Sequence, residues 1–215
     1  MNRLGRQPYV CLITPGETNP ANFDNQKNGI LNTVRDAVDD GVNLIQIREK
    51  VLPGRLLYEL AKEVVEVLKN TNAVIFVNDR PDIAAAAGAH GVHLPETSLT
   101  PSIVREAFKE LVIGISTHSI ESAIGASTSG ADYLFFGPVF ETPGKGTPAG
   151  LDVLRNVCSG VGSFPVIALG GIDETNARDV FAADAAGIAA IRSLNERESR
   201  RSICKTAQAF KAPLR

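Results

Sequence analysis

The sequence predicts an α/β protein, a (β/α)8 barrel that takes up residues 1–215 as one domain. Three observations carry that reading. Eight short apolar runs alternate along the chain with stretches of helical periodicity. The runs are apolar at nearly every position, as strands covered on both faces are, rather than alternating like half-exposed strands. A helical end, a turn and a strand also recur at intervals of roughly 42–57 residues, about two βα units each. A doubly wound sheet accounts for the same alternation and is the competing arrangement.

The elements follow in order. The first strand is Tyr9–Ile13, and a helix through Val38 can be opened by Asn25 or Asn28 as N-cap. Ala37-Val-Asp-Asp-Gly41 then ends that helix, with Gly as the left-handed stop, before the second strand at Leu44–Ile47. Pro53-Gly54 introduces residues 56–68, which are apolar at helical spacing, and residues 74–77 make the third strand. Ala84-Ala-Ala-Ala-Gly88 closes the next helix ahead of Gly91–Leu94. Thr100-Pro101 reads as an N-cap followed by Pro at the first helical position, and the fifth strand is 112–115. A helix over 119–127 and the turn at Gly130 lead to Tyr133–Phe136. The connection 141–150, with two Pro and three Gly, is long enough to be a mobile lid. The seventh strand at 165–169, a helix over 173–181, the eighth strand at 187–191 and a closing helix over 196–210 complete the barrel.

Composition narrows the function. A net charge of −2 gives no electrostatic reason to expect nucleic acid or an anionic membrane as partner. No apolar run approaches the ~20 residues of a membrane span, and the N-terminus has no signal-peptide core, so a cytoplasmic location is expected. Cys11, Cys158 and Cys204 are far apart and form no CxxC pair, which argues against a disulfide framework or a zinc site.

Barrel enzymes build their sites at the carboxyl ends of the strands, so the residues that stop each run are the candidates. Gln46, Arg48 and Lys50 alternate from the end of strand two, and period two would set them on one face. A lysine there is a compact charge suited to a diphosphate, although a solvated charge run reads the same way. Asn78-Asp79 ends strand three; these oxygens suit magnesium together with a diphosphate and water, or they cap the helix that follows. Ser116 and His118 end strand five, and His118 can act as acid or base or simply precede a helix. His93 lies inside strand four and reads as a packed core histidine. Gly170-Gly171 after strand seven, with an amide-rich helix start beyond, reads as a phosphate cradle that Arg192 after strand eight can share. Lys145, in the long loop, can close on a substrate phosphate or remain solvated.

Taken in order, these residues resemble the thiamine phosphate synthase/TenI superfamily. The matching pieces are Gln46-Ile-Arg-Glu-Lys50, Val77-Asn-Asp-Arg80, Gly91-Val-His-Leu94, Gly114-Ile-Ser-Thr-His118, Gly137-Pro-Val-Phe140, Thr142 to Lys145, Ala168-Leu-Gly-Gly-Ile172 and Asn176. The resemblance implies a barrel transferase of thiamine biosynthesis. It would couple hydroxymethylpyrimidine diphosphate to thiazole phosphate, release pyrophosphate and use Mg2+. It implies Lys50, Ser116 and Lys145 as catalytic residues and Asp79 as the metal ligand. By the same resemblance Gln46, Asn78 and Gly171 would bind substrate, and the reading of the strand ends and loop adds Arg48, His118, Thr142, Gly170 and Arg192. The resemblance leaves open a homo-oligomer, a TenI-like thiazole tautomerase that needs no metal, and a non-catalytic thiamine- or phosphate-binding barrel. Three positions depart from the synthase pattern. Ser98 stands where synthases usually carry a second magnesium-binding Asp, with Glu96 at a different offset. Ile191-Arg192-Ser193 replaces the usual Val-Ser pair. Pro138 stands where the tautomerase branch has a histidine.

Overall fold

A computed structural model describes Leu4 and residues 8–210. Eight parallel strands close into a barrel: β1 (Tyr9–Ile13), β2 (Leu44–Ile47), β3 (Val74–Asn78), β4 (Gly91–Leu94), β5 (Val112–Thr117), β6 (Tyr133–Phe136), β7 (Val166–Leu169) and β8 (Gly187–Ala190). β8 pairs back onto β1 through Tyr9 with Gly187 and Val10 with Ile188, which leaves no sheet edge open. The closed ring rules out the doubly wound alternative.

Continuous apolarity in the strands has a direct cause, since each buries both faces. Val10, Leu12, Ile45, Ile47, Ile75 and Val77 point outward into the layer shared with the helices. Tyr9, Cys11, Ile13, Leu44, Phe76, Tyr133, Phe135 and Ile167 fill the lumen. The lumen is full of side chains, and Gly114 shows how tightly. A Cβ there would run into the Tyr133 ring and hydroxyl, so the absence of a side chain on β5 is what lets the phenol cross to β4.

The helices are α1 (Phe23–Asp39), α2 (Gly54–Val67), α3 (Pro81–Ala87), α4 (Pro101–Ala107), α5 (Ile120–Thr128), α6 (Gly150–Val161), α7 (Ala177–Ala182), α8 (Arg192–Asn195) and α9 (Arg197–Ala209). Thr100 and Pro101 stand at the N-cap and first helical position of α4, as the sequence predicts. Ser119 caps α5 in a reciprocal box with Ser122. Two starts differ from expectation. α1 begins after Asn22, not at Asn25 or Asn28, because Asn22 Oδ1 accepts from Asn19 N–H at 2.7 Å and its amide reaches Glu17 O, which turns the chain earlier. α7 begins at Ala177, not near Asp173. Asp173 instead builds a turn, accepting from Thr175 N–H at 2.9 Å while its own N–H goes to Asn176 Oδ1. Among the described residues, no helix is long and apolar enough to cross a membrane.

Candidate active site

The carboxyl ends of the strands carry the polar residues, each placed by the register beneath it. On β2, Gln46 continues the lumen face begun by Leu44 and is only 2% exposed. Its Nε2 donates to Asn78 Oδ1 at 3.0 Å across the β2–β3 pair. Its Oε1 is buried with no partner among the described residues, so the amide keeps an unused acceptor on the lumen face.

β2 ends at Ile47, so strand periodicity does not extend to Arg48 and Lys50 as the sequence suggests. A turn takes over. Arg48 N–H donates to Thr14 Oγ1 at 2.8 Å, and Glu49 is buried to accept from Gly16 and Thr18 N–H at 3.1 and 2.9 Å. Glu49 thereby ties the loop after β1 to the loop after β2. Lys50 is exposed, and its ammonium is held below its usual pKa by the Arg48 guanidinium, then by partial burial and by Lys145; Asp79 opposes this. The charges of Arg48, Lys145 and Asp79 all reach Lys50.

Asn78 is the last residue of β3 and Asp79 lies just beyond it. Asp79 has a left-handed backbone at φ 59°, and its N–H donates to His93 O at 2.9 Å. Its carboxylate receives the Ser98 hydroxyl, which brings together two residues 19 apart in sequence. The helix-capping alternative for Asn78-Asp79 does not hold, because the N-cap of α3 is Arg80. Among the described residues, no three His, Cys, Asp or Glu converge as a metal cage.

His93 is a lumen histidine, as expected, but it is not merely packed. Its Nε2 lies 2.9 Å from Ser116 Oγ, its Nδ1 lies 3.1 Å from the Tyr133 hydroxyl, and its ring rests on Phe135 with centroids 4.0 Å apart. Burial pushes its pKa down to about 3. His118 turns away from this group and is exposed; its Nδ1 meets the Gly137 carbonyl at 2.5 Å and must carry the proton there.

The loop 141–150 is pinned at both ends. Phe140 N–H donates to Gly170 O, Ala149 N–H to Pro138 O at 2.8 Å and Gly150 N–H to Val139 O. Within it Thr142 Oγ1 donates to Phe140 O, and Lys145 N–H donates to Thr142 O, each at 3.0 Å. Gly170 (φ 100°) and Gly171 (φ 64°) turn the chain directly beneath this loop, where a Cβ would strike Pro138 or Phe140. The expected amide-rich helix start beyond them is not available, since α7 begins later and the Asp173 and Thr175 N–H groups are taken. The glycine turn and the exposed Arg192 at the start of α8 remain. Ser193 is occupied, its hydroxyl donating to Ile172 O at 2.7 Å.

The family pattern described as "Thiamine monophosphate synthase" matches residues 10–194, nearly the whole barrel. The chain belongs to the thiamine monophosphate synthase/TenI family. The thiamine-phosphate synthase of Chlorobium phaeovibrioides is 36% identical over 193 residues, covering 88% of this chain and 87% of that one. The thiamine-phosphate synthase of Clostridium botulinum (strain Loch Maree) is 39% identical over 165 residues, covering 75% and 80%. Among solved structures, the thiamine phosphate pyrophosphorylase of Pyrococcus furiosus superposes with a TM-score of 0.84 at 32% identity, covering 98% of both chains. A cavity of about 660 Å³ lies elsewhere in this family member, lined by His90, Phe108 and Val112 around the starts of β4 and β5. That cavity lies at the amino ends of the strands, whereas barrel enzymes build their sites at the carboxyl ends, so the strand-end group is the candidate site.

Proposed function

We propose that this family member works as a thiamine-phosphate synthase, joining hydroxymethylpyrimidine diphosphate to thiazole phosphate with release of pyrophosphate. The observation that carries the reading is the Gln46–Asn78 hydrogen bond at the ends of β2 and β3. Asn78 is next in the chain to Asp79 and Gln46 lies two residues before Arg48, and the charges of Arg48, Lys145 and Asp79 act on Lys50. Cations at the mouth suit a diphosphate, and the buried amide acceptor beneath them suits a polar ring.

The reaction breaks the bond between the pyrimidine methylene carbon and the diphosphate oxygen, and the electron pair leaves with the diphosphate. The thiazole nitrogen then gives its lone pair to that carbon, so no general base is needed. Lys50, Lys145 and the Ser116 hydroxyl stabilise the charge on the leaving diphosphate. Gln46 and Asn78 orient the pyrimidine ring, with Gln46 Oε1 as acceptor. Arg48 and Thr142 would assist at the same mouth, while His118, held on the Gly137 carbonyl, has no role there. Gly170, Gly171 and Arg192 hold the thiazole phosphate at the other side, which brings the two reacting atoms into line.

Asp79 is the residue that would hold Mg2+, with the Ser98 hydroxyl on its carboxylate. One carboxylate with a hydroxyl beside it fits an ion that keeps waters and is shared with substrate phosphates, not an all-protein cage. When bound, Mg2+ would neutralise charge on the departing diphosphate.

The test is direct. Purified protein with Mg2+ and both substrates is expected to form thiamine phosphate and pyrophosphate in equal amounts. No product under conditions where the Pyrococcus furiosus relative turns over would overturn the reading. Aromatisation of a thiazole carboxylate phosphate in chelator, without thiamine phosphate, would replace it with the tautomerase. That branch's base is missing here, since Pro138 stands in its place.

A further inference from the structure

We infer that Tyr133 and His93 are positioning residues that set the direction of the hydrogen bond at Ser116, leaving the Ser116 hydroxyl proton free to point into the site. Tyr133 is 0% exposed and His93 is 2% exposed, so neither has water to satisfy it. The phenol has one polar contact among the described residues, His93 Nδ1 at 3.1 Å. A phenol that did not donate there would leave a buried O–H without an acceptor, which costs more than the bond itself contributes. Tyr133 therefore donates, and Nδ1 accepts.

The rest follows from the chemistry of the ring. A neutral imidazole carries one proton, and buried against Phe135 and Tyr133 it stays neutral. With Nδ1 accepting, that proton sits on Nε2 and is donated to Ser116 Oγ, 2.9 Å away. Ser116 is the half-buried end of the chain, at the carboxyl end of β5. Its oxygen is already an acceptor, so its own proton is left for an anion at the mouth. The opposite direction would turn Ser116 toward the histidine as a donor and present only lone pairs to a diphosphate. The register builds this relay. Asn78 pairs with His93 and His93 with Gly114, and the missing Cβ of Gly114 admits the phenol from β6.

The inference rests on the reading that Ser116 meets the diphosphate, and its test separates the two. Two-bond proton–nitrogen NMR on the resting protein with 15N-labelled histidine is expected to show His93 protonated at Nε2 and bare at Nδ1. This needs no substrate and no variant. Tyr133→Phe is then expected to raise the KM for the diphosphate substrate and the inhibition constant of pyrophosphate by about ten-fold. The KM for thiazole phosphate should not change, whereas a merely structural loss would move both. Adding Tyr133→Phe to Ser116→Ala should cost nothing further, since the hydroxyl it orients is gone. A proton on Nδ1 in the wild type, equal changes in both KM values, or additive losses in the double variant would each overturn the relay. If Nε2 is protonated but the wild type forms no thiamine phosphate, the proposed function falls and the direction of the hydrogen bonds stands.

Discussion

Asp79 combines an unfavourable backbone with the carboxylate proposed to hold Mg2+. A left-handed φ in a residue with a Cβ costs on the order of 1 kcal/mol, and such costs persist where function holds them. Asp79→Gly removes the cost and the carboxylate together. Its thermal midpoint is expected to stay level or rise while Mg2+-dependent kcat falls roughly 100-fold or more; a melt and a rate assay on the same preparation check both. Loss of stability equal to the loss of activity would mean that Asp79 is structural. Ser98 tests the same place from the other side. Its hydroxyl already meets the Asp79 carboxylate, so Ser98→Asp sets a second carboxylate there. The Mg2+ concentration for half-maximal activity is expected to fall by about ten-fold with one added charged ligand, which a Mg2+ titration reads. These residues show what can be seen along a chain. Asp79 stands out because it ends an apolar run. Ser98 is flagged only by the family resemblance, not by its local sequence, because the loop after β4 sets its contact with Asp79.

At the scale of elements, α9 is clamped to α1 by a buried ion cluster. Arg200 Nη2 lies 2.8 Å from Asp40 Oδ2, with side chains 3% and 7% exposed, and Arg201 Nε reaches Asp40 Oδ1 at 2.7 Å. Burial raises the Asp40 pKa, but hydrogen bonds and charge from Arg201 and Arg200 outweigh it, so its net position is below the usual 3.8. Asp40→Ala leaves Arg200 buried without its counter-charge and is expected to cost roughly 3 kcal/mol in urea unfolding. The sign of the pH dependence follows from the lowered folded-state pKa. The stabilisation is complete above pH 3.8 and is lost as pH falls through the folded value. The gap between wild type and variant should therefore close in acid and stay constant near neutrality. The helix pattern itself is legible in the sequence where the caps are local, as at Thr100-Pro101 and Ser119. It is misread at α7, where Asp173 and Asn176 spend their side chains on a turn. Turn and N-cap use the same residue types, so composition cannot separate them.

The whole molecule carries a net charge of −2, yet the proposed site places the mutually repelling Arg48, Lys50 and Lys145 around the diphosphate. A cationic patch on a weakly anionic protein steers an anionic substrate without attracting polyanions at large. Raising ionic strength from about 0.05 to 0.5 M shortens the screening length from above 10 Å to a few ångström. It is expected to lower kcat/KM for the diphosphate substrate several-fold while thermal stability holds. A flat salt profile would show that these charges act only in contact. The barrel and the end of it that bears the chemistry follow from the sequence, because both rest on local rules. Strand and helix periods and glycine stops act over a few residues, and in a parallel barrel every strand end falls on one face. The partners were decided only by tertiary structure. Tyr133, His93 and Ser116 come from three strands, 40 and 23 residues apart, and read singly as an apolar-run aromatic, a core histidine and a strand-end serine. The β4–β5–β6 register and the missing side chain of Gly114 make them one chain of hydrogen bonds. Register is a property of the closed sheet, and no stretch of sequence contains it.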